Sequence, residues 1–351
     1  MLGGIISEDN PRDKAWERIF DQYRGKKLVI PLRGSPDPDS IGSAVALQHL
    51  LAQKGIESVI SHTAPVSHPQ NMLLIELLGI ELDRFNPETQ TPQVYLAPFA
   101  GYCLVDSQRA DESLYPAIES KPLVALLDHH HTTDHPSALL VDIRTDVGST
   151  ATLLAQHLER RGLLKQDDSP SKKVAIALMH GIYSDTCGTI AATPADYKAL
   201  AYLSQYFDRS TLKKILSEQI SEGAMSALVQ AYQKRTEWNG SLFTFVGEIQ
   251  AEQRDTILPQ VADILQRLAG VTTVVVGAVV EGQVQASLRS SNGQNLSALM
   301  ETRIPELRTA PGASYGSRNG CGGFALPLTS LSGADPETYL KSRFLDEITT
   351  R

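Results

Sequence analysis

The chain is poor in the features that staple, anchor or broadly charge a protein. Its three cysteines, Cys103, Cys187 and Cys321, are odd in number, far apart and form no CxxC pair. That excludes a disulfide framework and a thiolate zinc site, and leaves each as a small buried hydrophobe or a free thiol. No apolar run approaches the roughly 20 residues of a membrane span, so no membrane partner is expected. The opening "MLGGIISEDNPRDKAWERIF" has no basic segment followed by a long apolar stretch, so no secretory signal is read and a cytoplasmic location is expected. Positive charge is in deficit, 32 Lys and Arg against 40 Asp and Glu, for a net −8. A broad basic surface for coating long duplex nucleic acid is thereby excluded, whereas a short phosphorylated ligand in one basic pocket is not. Internal repeats and low-complexity tracts are missing as well.

What is present is ordinary globular material, 42% hydrophobic and 21% charged over 351 residues. Single cores seldom grow past about 250 to 300 residues, which predicts two domains. Residues 1–193 alternate buried strands with helices, the pattern of an α/β domain with a largely parallel sheet. "KKLVIPL" (26–32), "GYCLVD" (101–106), "PLVALLD" (122–128) and "ALLVDI" (138–143) read as strands. "SIGSAVALQHLLAQKG" (40–55), "STATLLAQHLERRG" (149–162) and "KKVAIALMHGIYSDT" (172–186) read as helices. Residues 194–235 are helical without strands and read as a linker. A smaller α/β domain then occupies 236–351, opening with an Asn-Gly hairpin signal in "TEWNGSLFTFVGEI" and continuing with two strands around Glu281-Gly282.

The chemistry lies where acids and histidines meet strand ends. Asp37 and Asp39 follow the first strand, Asp106 ends "CLVD", Asp128 leads His129, His130 and His131, and Asp185 closes "GIYSDT". Loops beyond the carboxyl ends of parallel strands converge on one crevice, so these groups can meet there. Carboxylates with imidazole and no thiolate suit Mn²⁺ or Mg²⁺, one or two ions, and such ions activate water and polarise phosphoryl oxygens. Taken singly, an Asp at a strand end is more often a turn former or a cap. Ser149 and Thr150, at a helix start, admit both an N-cap and an anion-holding reading.

"PDPDSIGSA", "LVDSQ", "LLDHHHTTD" and "GIYSDTCGT", in this order, resemble motifs one to four of the DHH phosphoesterases. That family includes RecJ-type exonucleases, nanoRNA and 3′-phosphoadenosine 5′-phosphate hydrolases, cyclic-dinucleotide phosphodiesterases and family II pyrophosphatases. The resemblance implies metal ligands at Asp37, Asp39, Asp106, His129 and Asp185, with Asp106 bridging. It places His130 toward the substrate phosphate as hydrogen-bond donor or acid and Asp128 behind the histidines, with His131 a bystander. The second domain resembles DHHA1, the substrate-binding companion. "QASLRSS" there implies a phosphate-binding Arg289 beside Ser287, and "YGSRNGCGGF" takes the place of a glycine-rich loop through Gly316, Arg318, Gly322 and Gly323. Glycines let backbone amides approach a phosphate closely.

Two positions depart from that pattern. Arg33 stands where motif one usually has a metal-binding histidine, and Arg318 where the loop has its histidine. A guanidinium cannot ligate a cation, so one metal position is empty, weaker, or replaced by Arg33 acting as a fixed charge on substrate. The resulting expectation is a metal-dependent hydrolase of phosphate esters in short oligonucleotides or small nucleotides, with a homodimer compatible. The alternatives are a non-catalytic nucleotide sensor and a pyrophosphatase or polyphosphatase.

Overall fold

The computed structural model describes residues 10–66, 69–132, 135–217, 220–250, 254–318 and 320–345. The chain divides into two compact units between residues 218 and 219, and each is described by itself. No helix among the described residues is long and apolar enough to cross a membrane.

The first unit is built on six parallel strands, β1 (Lys27–Pro31), β2 (Glu57–His62), β3 (Asp83–Arg84), β4 (Gly101–Val105), β5 (Leu123–Asp128) and β6 (Leu140–Ile143). Their order is β3-β2-β1-β4-β5-β6. The chain winds outward from β1 in one direction and then from β4 in the other. The crevice at their carboxyl ends is therefore the topological switch point of the sheet. Successive strand residues face opposite layers: Leu28, Ile30 and Leu32 enter one core and Val29 the other.

Among the described residues eight α-helices accompany this sheet: α1 (Pro11–Tyr23), α2 (Pro38–Ala52), α3 (Pro69–Leu78), α4 (Pro92–Leu96), α5 (Thr150–Arg161), α6 (Ser169–Asp185), α7 (Pro194–Leu203) and α8 (Arg209–Leu216). Helix α2 starts at a capping box in which Asp37 accepts from the Ser40 amide at 2.9 Å and Ser40 Oγ lies 3.1 Å from the Asp37 amide. Helix α5 ends at Gly162 in the left-handed region. Helices α2 and α6 lie so close that a Cβ on Gly42 would sit 2.5 Å from the Ala177 carbonyl oxygen. Helix α1, which the strand-and-helix pattern did not include, docks through Trp16. Its indole N–H donates to His157 Nδ1 at 3.2 Å, so Nε2 carries the ring proton and donates to buried Asp142 at 2.8 Å.

The second unit has a mixed six-stranded sheet, β11-β12-β10-β9-β8-β7, parallel only between β8 and β9. Its elements are α9 (Glu222–Lys234), β7 (Thr236–Trp238), β8 (Ser241–Glu248), α10 (Arg254–Leu265), β9 (Thr273–Val280), β10 (Gln283–Ser290), α11 (Leu296–Arg303), β11 (Ser314–Arg318), β12 (Cys321–Pro327) and α12 (Pro336–Leu345). Both hairpin signals form: Asn239-Gly240 and Glu281-Gly282 adopt positive φ at both turn positions. The segment 194–235, read as a linker, is shared out instead. Leu203, Leu212 and Ile215 of α7 and α8 belong to the first unit's core, and Ala224, Ala227 and Ala231 of α9 to a core of the second.

Candidate metal centre

Four side chains from four elements converge at the switch point: Asp39 from the first turn of α2, Asp106 after β4, His129 after β5 and Asp185 from the last turn of α6. One ligand atom of each lies within 4.8 Å of all the others. His129 Nε2 lies 3.3 Å from Asp185, 3.4 Å from Asp106 and 3.9 Å from Asp39. It is buried without a hydrogen-bond partner, surrounded by carboxylate oxygens it does not properly bond. Asp106 adopts the left-handed conformation, φ 55°. That costs a non-glycine residue of order 1–3 kcal/mol and is typical of a functional position.

Asp39 is fully buried, and both of its oxygens accept backbone amides at the start of α5, Thr150 N and Ala151 N, each at 2.8 Å. Gly181 of α6 makes room, since a Cβ there would meet Asp39 at 3.1 Å. Asp106 accepts from Thr150 Oγ1 at 3.2 Å. Asp128 lies behind the histidines. One oxygen accepts from the His129 amide at 2.8 Å, the His130 amide at 3.1 Å and His130 Nδ1 at 2.8 Å, and the other accepts from Gln108 Nε2 at 2.8 Å. Asp106, His129 and His130 form a second, smaller group. It is less suited to a cation because the His130 Nδ1 proton is committed to Asp128.

The electrostatics follow from crowding. Burial, and then the neighbouring Asp106, push the Asp37 carboxyl up to about 6. Burial, then Asp106 and Asp185, raise Asp39 well above the carboxylate range. Burial opposes charge on His129, but Asp106 and Asp185 outweigh it and raise the imidazole to about 10. Burial also opposes charge on Asp128, and hydrogen bonds from His130 overcome it and hold that carboxyl low. Three carboxylates that raise one another around a single imidazole, whose Nε2 makes no well-formed hydrogen bond, leave the centre with an excess of negative charge that a bound cation would balance. Oxygen donors with one nitrogen suit a hard divalent ion.

Other expected residues are placed differently. Asp37 is near enough to feel Asp106, but its carboxylate serves the α2 cap and lies outside both groups. Arg33 is exposed and makes no hydrogen bond or ion pair with a described residue. His131 is exposed. Ser149 is buried as the N-cap of α5, accepting from Thr152 N. The next two amides are taken by Asp39, so the anion at this helix start is the protein's own carboxylate.

In the second unit Arg289 is an internal strut. Its Nε and Nη2 pair with Asp263 of α10, and Nη1 donates to Ser287 Oγ at 3.0 Å and the Leu288 carbonyl at 2.9 Å. Four of its five donors are thus occupied, against the expectation of a phosphate contact. Gly316 faces open space, while Gly322 lets β12 lie against Leu296 of α11 and Gly323 against the Ala286 carbonyl of β10. The Arg318 side chain lies outside the described residues. A cavity of about 620 Å³ opens beside them, lined by Ser290, Asn295, Ser297, Ser317 and Gly320 among others.

Sequence reasoning did not single out Gln108, although "LVDSQ" contains it, or the loop after Asp185. There Cys187, Gly188 and Thr189 all have positive φ. The Tyr197 hydroxyl donates to the Thr189 carbonyl at 2.9 Å. The loop leaves Ile190 91% exposed, with Tyr183 42% and Tyr197 53% exposed.

Comparison with known proteins gives these sites a context. Residues 27–182 match the description "DHH family, N-terminal domain". An uncharacterized protein of Methanocaldococcus jannaschii is 32% identical over 294 residues, 83% of this chain and 58% of that protein. A second from the same organism is 26% identical over 224 residues, 61% of each. The chain thus spans less than two thirds of either relative. Among solved structures, an exopolyphosphatase-related protein from Bacteroides fragilis matches with a TM-score of 0.68 at 15% identity, over 88% of this chain and 89% of that one. A DHH domain described as a member of the s1p family of ribosomal proteins matches with a TM-score of 0.53 at 14% identity, over 100% of this chain and 95% of that one. These likenesses show the fold.

Proposed function

We propose, from the match of residues 27–182 to the DHH family's N-terminal domain, that the chain is a divalent-metal-dependent phosphoesterase of short oligonucleotides or small nucleotides. The observation that carries the proposal is the buried, unpartnered His129 Nε2 facing three carboxylates. Asp39, Asp106, His129 and Asp185 would hold Mn²⁺ or Mg²⁺, and Asp37 would join them only by leaving its cap. A bound ion would supply a water of lowered pKa and an electrophile for the phosphoryl oxygen.

The chain's own groups do the rest. The α5 amides and Thr150 aim Asp39 and Asp106. Asp128 accepts the His130 Nδ1 proton and so orients the ring, leaving the Nε2 edge for the phosphate, where a second proton on the ring makes it a hydrogen-bond donor or acid. The exposed Ile190 and tyrosines beside Asp185 favour an ester with an apolar part, such as a nucleobase, over inorganic pyrophosphate. In the second unit, the serine-lined cavity next to the glycine-rich strands offers hydroxyls to a phosphate or sugar.

The test is an Mn²⁺-dependent turnover panel of short RNA, 3′-phosphoadenosine 5′-phosphate, linear dinucleotides, pyrophosphate and polyphosphate, with Asp106→Ala as the control that loses activity. Binding of nucleotides without turnover of any of them would replace the enzyme with a sensor.

A further inference from the structure

Helices α2 and α6 each carry a residue of the acidic centre at one end and the wall of a separate cavity at the other. That cavity, about 600 Å³, lies within the first unit among α2, β2, α3, α6 and α8. Its size is that of a small-molecule site. Val45, Ile56, Leu77, Leu78, Val174 and Ile176 supply an apolar wall.

The charged groups of the wall are unequal. Glu57 is paired with Lys27 at 2.6 Å, and the Asp208 carboxylate caps α8 through Ser210 and Thr211. Lys172 reaches Asp167 at 3.5 Å. Lys173 makes no ion pair with a described residue, and its ammonium donates to the Gly79 carbonyl at 2.7 Å. Burial holds that ammonium below its ordinary pKa, with Glu81 opposing through space. The wall also contains Ser58, whose hydroxyl is buried without a hydrogen-bond partner. The cavity joins this apolar wall to a polar rim in which Lys173 is the cation without an ion-pair partner among the described residues and the Asp208 carboxylate is held in the α8 cap, a lining that suits a ligand with an apolar body and one anionic group on the lysine side.

We propose that this cavity is an effector site for a small amphipathic organic anion, its apolar body between α2, α3 and α6 and its anionic group on Lys173, acting on the acidic centre through α2 and α6. The two helices cannot slide independently, because Gly42 is in backbone contact with Ala177. An occupant that shifts their far ends therefore shifts Asp39, and with it the α5 amides that Asp39 holds.

The probe is 8-anilinonaphthalene-1-sulfonate, titrated by fluorescence into the full chain without metal or substrate, so that the outcome is independent of the proposed activity. Saturable binding at one site is expected. Lys173→Glu and Ala52→Trp, the latter filling the cavity from an exposed helix end, should each weaken it about tenfold, the loss of one charge-assisted contact or of the space itself, with melting temperature unchanged. Non-saturating fluorescence, or equal affinity in both variants, would overturn the site. At a probe concentration that half-saturates the wild type, amide exchange at Thr150 and Ala151 should change severalfold in the wild type and much less in Lys173→Glu. Unchanged exchange in both would overturn the link to the centre.

Discussion

The cation deficit of the acidic centre has a measurable thermodynamic consequence. If Asp39, Asp106, His129 and Asp185 hold a divalent ion only when folded, the ion stabilises the first unit by mass action. At an ion concentration of 100 times Kd the gain is about 2.7 kcal/mol. For a unit of 218 residues, each kcal/mol is worth about 2–4 °C, so Mn²⁺ should raise its melting temperature by about 5–11 °C. The two tryptophans allow the unit to be watched separately. Trp16 is fully buried in the first unit and Trp238 is 46% exposed in the second, so Trp238→Phe leaves fluorescence that reports the first unit. In that background Asp106→Asn should do two opposite things. It removes a charge that pushes up both Asp37 and Asp39, so the metal-free melting temperature should hold or rise, while the Mn²⁺ shift disappears. An Mn²⁺ shift of equal size in Asp106→Asn, or none in the wild type with either Mn²⁺ or Mg²⁺, would refute the assignment of these residues as the ion's ligands.

Other consequences can be checked by simpler means. Asp128→Asn keeps one acceptor oxygen but loses the carboxylate charge and sets an NH2 donor against Gln108 or the His130 side, and should lower metal affinity or turnover about 10–100-fold, read by calorimetry and kinetics. Arg33→His, at an exposed position without a hydrogen-bond or ion-pair partner among the described residues, should change stability by no more than about 0.5 kcal/mol while raising Mn²⁺ affinity or stoichiometry in the same titration. Gly42→Ala drives a methyl into the Ala177 carbonyl, 2.5 Å away, and should cost about 1–3 kcal/mol in denaturant unfolding. Asp142 is held below its ordinary pKa: burial opposes its charge, but His157, Arg144 and Arg12 outweigh it. Its stabilisation is therefore present above about pH 4 and fades as pH falls through the lowered folded value. Asp142→Asn should cost about 3 kcal/mol at pH 7, the low end for a broken buried pair because Arg12 is 43% exposed, with the difference from wild type narrowing toward pH 3.

Local signals carried much of the fold. The parallel strands were legible because both faces are buried, which leaves runs such as "LVALLD" nearly without polar residues. Helix α1 also carried its signals, an Asn10 cap and Pro11 at the first turn, which pattern reading aimed at strands passed over. Convergence of the acids was inferable from their position after parallel strands. The division of labour between Asp37 and Asp39 was present as Asp37-x-x-Ser40, a capping signature that competes with the ligand reading. What could not be read were partnerships between distant residues. Asp263 is 26 positions from Arg289 and sits on another element, so nothing local announces that the guanidinium is already neutralised. The α5 amides held by Asp39 are likewise more than a hundred residues from it.

That last contact explains why the centre needs both a helix start and a buried acid. A carboxylate sealed from water is costly unless hydrogen-bonded, and Asp39 accepts one amide on each oxygen. The remaining lone pairs are the ones a cation would use. The same bonds tie α2 to α5, while Gly42 and Gly181 bring α6 within contact of both. Three helices thus share one register with the strand ends that carry Asp106 and His129. A ligand set drawn from four separate elements can hold fixed distances only if those elements cannot move independently. Here the glycines and the α5 amides, rather than the ligands themselves, enforce that condition. Substitutions at Gly42 or Gly181 should therefore lower metal affinity without touching a ligand.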